Sequence, residues 1–139
     1  MMRRALVAAL LIAGCTVAAG AETAVALIAR ADKAWSDSQF EQAQRALEAA
    51  AAAEPRSAAT LLRLAGFQLS RQQLDAGIVT YQRVIGLDAR NIRAWLGLGL
   101  AYVHTGKSGA ARAAFDEVLR IEPQRKDELG PLLAKLDKS

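Results

Sequence analysis

The pattern of apolar and polar positions divides this chain in two. Residues 5–21 (ALVAALLIAGCTVAAGA) carry no charge and follow the basic opening Met1-Met2-Arg3-Arg4. From residue 24 onward, charged and apolar side chains interleave at the spacing of amphipathic helices. The first run has the layout of a signal segment, with a basic start and an apolar centre over Ala5 to Ala13. Gly14 and Gly20 interrupt it and large side chains are few, so it makes a poor spanning helix, which needs roughly 20 strongly apolar residues.

The interleaved part repeats. Ala43, Gly77 and Ala111 stand 34 residues apart, as do Leu47, Tyr81 and Phe115, and so do Pro55, Ala89 and Pro123. A constant period without gaps predicts three copies, at about 24–57, 58–91 and 92–125. Each copy is expected to be two helices of about 14 residues or fewer, because one pair alone cannot bury its apolar face. Ala31, Ala65 and Gly99 fall where the helices of a pair should cross, and small side chains there let the backbones approach. Leu47, Tyr81 and Phe115 are expected to fill the gap to the next copy's first helix. Gly106 sits where a left-handed turn is wanted, and Pro55 and Pro123 stop their helices. Leu129, Leu132, Leu133 and Leu136 predict a capping helix over 126–138, with Pro131 tolerated only in its first turn or so.

The third copy carries a family pattern. Trp95-x2-Leu98-Gly99-x2-Tyr102, then Ala111-x3-Phe115, then Pro123, match the tetratricopeptide repeat (TPR) at every position. The chain resembles a TPR protein over residues 24–125. The second copy keeps Leu64, Gly77 and Tyr81 but has Leu61, Gln68 and Ala89 in place of Trp, Tyr and Pro. The first keeps Ala43 and Pro55 but has Leu27 for Trp and Arg30 for Leu. Degeneracy at a terminal repeat is expected, since its outer face meets water. The resemblance implies an all-α fold, an α-solenoid of three helix-turn-helix repeats plus a C-terminal capping helix. It implies a non-enzymatic protein-binding role, with a peptide held on the concave face built by the first helix of each repeat.

That face projects Val25, Ile28, Asp32 and Trp35 from copy one, and Ala59, Leu62, Gly66 and Leu69 from copy two. Copy three contributes Arg93, Leu96, Leu100 and Val103, with His104 near the helix end. The surface is mostly apolar and suits a hydrophobic peptide or an amphipathic helix of a partner. The family's carboxylate clamp for chaperone tails uses Lys, Asn and Arg on this face, and Asp32, Gly66 and Leu100 do not supply it. The alternative is that these side chains cover the chain's own termini or a second copy.

Residues 1–21 admit two processing readings. Leu11-Ile12-Ala13-Gly14-Cys15 resembles the lipobox of bacterial lipoproteins, which implies lipidation of Cys15 and, with Thr16 after it, sorting to the outer membrane facing the periplasm. Ala19-Gly20-Ala21 offers cleavage before Glu22 instead, giving a soluble periplasmic or secreted protein.

Composition narrows the chemistry. One Cys excludes an internal disulfide framework and a cysteine-based zinc site, and one His excludes a multi-histidine metal site. The net charge of +4 includes Arg3 and Arg4 and is no nucleic-acid footprint. Gly106-Lys107-Ser108 resembles the end of a phosphate loop but has Ala101 where the first glycine belongs. Gly97-Leu98-Gly99 lacks the third glycine of a dinucleotide fingerprint, because Tyr102 stands there. Asp32, Asp37, Asp116 and Glu117 are scattered, and His104 has no evident catalytic partner. No cofactor, metal or nucleic acid is expected. A partner protein, with self-association as the alternative, is.

Overall fold

A computed structural model describes residues 21–138. Cys15, the Leu11 to Cys15 motif and the rest of 1–20 lie outside the described residues, and of the Ala19-Gly20-Ala21 motif only Ala21 is described. Helices α1 (Ala24–Ser36), α2 (Phe40–Ala53), α3 (Ala58–Ser70), α4 (Leu74–Leu87), α5 (Ile92–His104) and α6 (Ser108–Ile121) form three antiparallel pairs. A single 3-10 turn, Pro123–Arg125, leads into α7 (Lys126–Leu136). The described residues contain no strand. This is the TPR-type helical solenoid.

The period is written into the helix starts. α1, α3, α5 and α7 begin 34 residues apart, and so do α2, α4 and α6. Thr23, Ser57 and Asn91 precede the first helix of each pair, and each side-chain oxygen accepts from the N–H three residues on, at 3.0–3.2 Å. These contacts satisfy donors that a helix start leaves open. At the turn inside each pair, Ser38 (φ 59°), Gln72 (φ 59°) and Gly106 (φ 70°) all take the left-handed conformation. Only the third copy has the glycine that makes this conformation cheap.

Packing follows the size of the side chains. Gly99 of α5 faces Phe115 of α6 so closely that a Cβ at 99 would lie 2.6 Å from the ring. Phe115 is fully buried and packs with Leu129 and Leu133 of α7, so it fills the gap to the following helix. Two large clusters form the core. One spans α1 to α5 and is rich in alanine, and the other joins α5 to α7. Trp95 and Tyr102 pack against both, and the Trp95 indole N–H donates to the Ala89 carbonyl at 2.9 Å.

Ion pairs lie near both ends of the described solenoid. Leu27, at the tryptophan position, is buried. Arg30, at a leucine position, is instead exposed on the outer edge of α1 and pairs with Glu22 at 2.5 Å. At the other end Arg112 of α6 pairs with Asp137, and Arg125 bonds Glu128 at 2.6 Å. Pro131 departs from expectation: it is the sixth residue of α7 rather than lying in its first turn. Its missing N–H leaves the carbonyl of exposed Asp127 without a helical partner, where water can serve. Gly130 before it has no Cβ to clash with the proline ring.

Candidate functional site

The first helices of the three pairs share one face, and a depression of about 360 Å³ opens on it. Ala31, Asp32 and Trp35 come from α1, Leu62, Arg63, Gly66, Phe67 and Ser70 from α3, and Arg93 from α5, with Leu47 of α2 beneath. The amphipathic pattern of α1 and α3 dictates this arrangement. Ala31, Leu61, Leu64 and Ala65 turn into the core, which leaves Asp32, Leu62 and Gly66 on the open side.

Trp35 is 44% exposed yet held in place. Its ring meets Phe40 edge-on at 5.2 Å and Phe67 edge-on at 5.4 Å. The Arg71 guanidinium covers the Phe40 ring at 4.2 Å. The wall is therefore a rigid aromatic step. Asp32 accepts a hydrogen bond from Arg63, linking α1 to α3 across the depression. Both groups are half exposed, so solvent screens the pair and its worth is at most about 1 kcal/mol. Arg93 lies on the same face and forms no ion pair among the described residues.

The residues expected on this face divide into groups. Asp32, Trp35, Leu62 and Arg93, together with Gly66, line the depression. Leu100 is 42% exposed and His104 is exposed at the end of α5. Ile28 is half-buried against Ala24, Leu27 and Ala50, and Leu69 is half-buried against the main core. Leu96 and Val103 are half-buried against the C-terminal cluster that α7 completes. Arg63, Phe67 and Ser70 also line the depression and were not expected there. For Arg63 a signal was available, because it is the basic residue on α3 that can face Asp32 of α1.

A second depression of about 410 Å³ lies between α4, α5 and α6, over Trp95, Leu98 and Tyr102. Gln82 spans it to the Tyr102 hydroxyl at 3.2 Å. Among the described residues no group of three or more His, Cys, Asp or Glu could hold a metal. None of their helices is long and apolar enough to cross a membrane. The buried polar pair Thr80 and Gln68 is satisfied internally, with the hydroxyl donating to the amide oxygen at 2.7 Å. The Tyr81 phenol is pushed above its ordinary value of 10.0 by burial, with the Arg93 charge acting in the opposite direction.

Tetratricopeptide repeat family models match residues 28–92 and 69–136. The chain is thus built of tetratricopeptide repeats. Among solved structures it is similar to the first TPR of Spaghetti (RPAP3) bound to the HSP90 peptide SRMEEVD, at 17% identity and TM-score 0.74, covering 85% of this chain and 93% of that one. The Arabidopsis OM64 TPR domain aligns at 20% identity and TM-score 0.72, covering 83% and 94%. MamA aligns at 24% identity and TM-score 0.69, covering 77% of this chain and 63% of MamA. At these identities the likeness is one of fold. No curated protein matches the sequence.

Proposed function

We propose that this chain is a non-enzymatic protein-binding scaffold that holds an apolar or amphipathic peptide of a partner on the face made by α1, α3 and α5. The observation that carries this reading is the depression itself. It has an apolar floor and a fixed aromatic wall, and Trp35 stays exposed beside it although two other rings pack against it. That a similarly folded TPR is described as bound to a peptide supports a peptide as the ligand class. A chaperone tail of that kind does not suit this face, because Asp32, Gly66 and Leu100 stand where clamp residues would be needed.

We further propose that the protein works in a bacterial cell envelope, tethered through lipid on Cys15, as an accessory of an assembly machine in the manner of a pilotin. This part rests on the sequence Leu11 to Cys15. The rival motif Ala19-Gly20-Ala21 favours a soluble periplasmic or secreted chaperone or self-associating module.

The groove is tested with Trp35→Asp and Leu100→Asp, both at exposed positions, in cross-linking capture of the partner from envelope preparations. Loss of capture with unchanged helical circular dichroism is expected. Capture retained by both variants refutes the groove. The tether is tested by the intact mass of mature protein from the membrane fraction. A lipid-bearing species starting at Cys15 is expected, and a bare one starting at Glu22 selects the soluble alternative.

A further inference from the structure

We infer that the groove selects a peptide in which an acidic side chain stands beside a bulky apolar one, the acid meeting Arg93 and the apolar group seating on Trp35 and Leu62. This rests on the peptide-groove reading above and adds the chemistry of the occupant. Three charged side chains line the depression. Asp32 and Arg63 satisfy one another across it. Arg93 is exposed and has no ion pair among the described residues, so the face keeps one uncompensated positive charge. An acidic group on the occupant balances that charge, whereas a basic one is repelled. The apolar half of the requirement comes from Trp35 and Leu62. They share the same depression, and the Trp35 ring is fixed by Phe40 and Phe67, so little is lost in ordering it on binding.

Gly66 adds a steric condition. It lies inside α3, is exposed and lines the depression, and a Cβ built on it meets nothing within 4 Å. Packing therefore does not require glycine there, although glycine weakens a helix relative to alanine. Gly97 and Gly99, by contrast, each face an aromatic ring. At 66 the bare backbone leaves a notch between the charged and aromatic parts of the site, where the main chain of an extended peptide can come close.

The experiment uses the full chain and short synthetic peptides in a Gly-Ser background. Each peptide holds one Leu, Phe or Trp flanked by Glu, by Gln or by Lys, and binding is read by fluorescence anisotropy. The Glu series is expected to bind about fivefold tighter than the Gln series, with the Lys series weakest. Arg93→Glu should reverse that ranking, Trp35→Ala should weaken all three series, and Gly66→Leu should abolish binding while helical circular dichroism is kept. Equal binding by the three series, or a ranking untouched by Arg93→Glu, overturns the acidic selection. If Trp35→Ala still weakens binding in that case, the groove reading survives. Binding that withstands both Trp35→Ala and Gly66→Leu overturns the groove reading itself. If no series binds, the acidic-apolar assignment is overturned, and the capture experiment alone then decides the groove.

Discussion

The ring of Tyr81 occupies the space that a side chain on Gly97 would need. A Cβ at 97 would lie 2.2 Å from Tyr81 Cζ and 2.5 Å from its hydroxyl oxygen. Tyr81 belongs to α4 and Gly97 to α5, so the joint between the second and third repeats is a ring laid on bare backbone. Gly97→Ala is expected to cost about 1–3 kcal/mol through overpacking. Urea unfolding of Gly97→Ala, Tyr81→Leu and the double variant should show strong coupling, with the double variant recovering part of the loss. Simple additivity would contradict the contact.

The three left-handed turns predict opposite responses to glycine. Ser38→Gly and Gln72→Gly should each stabilise by about 0.5–1 kcal/mol, because a side chain is strained at φ near 59°. Gly106→Ala should destabilise by about 1 kcal/mol for the same reason. Thermal unfolding midpoints measure all three, and a lower midpoint for Ser38→Gly or Gln72→Gly would refute the argument.

The cap ladder should be measurable one rung at a time. Asn91→Ala removes the acceptor for the Ala94 N–H and is expected to cost about 1 kcal/mol, as is Ser57→Ala. Asn91→Asp should retain most of the stability, since its carboxylate can accept the same bond. Denaturant midpoints at constant slope are the check.

Tyr81 also predicts a response to alkali. Burial raises its folded value above 10.0, so the fold favours the protonated phenol. The stability it contributes is complete below the unfolded value near 10 and declines as pH rises through the higher folded value. Tyr81→Phe should flatten the loss of helical signal in that window. An unchanged alkaline profile would show that this phenol is not the group responsible.

Much of the architecture was legible because it is periodic. Small residues at 31, 65 and 99 and large ones at 47, 81 and 115 mark buried packing positions of each pair, and Gly106 marks a left-handed turn. Features that depend on tertiary surroundings were not legible. Ser38 and Gln72 take the conformation of Gly106 without glycine's signature, because the repeat geometry imposes it. Arg30 stands at a leucine position of the pattern, yet it is exposed and paired with Glu22, a contact the repeat pattern does not encode. Pro131 is accommodated deep in α7 only because its neighbours leave a carbonyl exposed. On the first-helix face, helical projection includes Trp35, Leu62 and Arg93, which line the depression. It did not distinguish Leu96 and Val103, which are half-buried against the C-terminal cluster and do not line the depression.

The phase of α7 has a practical consequence. It begins where the first helix of a fourth repeat would begin, and it packs on Phe115 as such a helix would. Its inner side chains Leu129 and Leu133 join the core, while Lys126, Asp127 and Glu128 are exposed. A longer protein is therefore within reach by modular grafting. Copies of 92–125 inserted ahead of α7 keep every existing joint, and each added module should raise the unfolding midpoint until further modules add little.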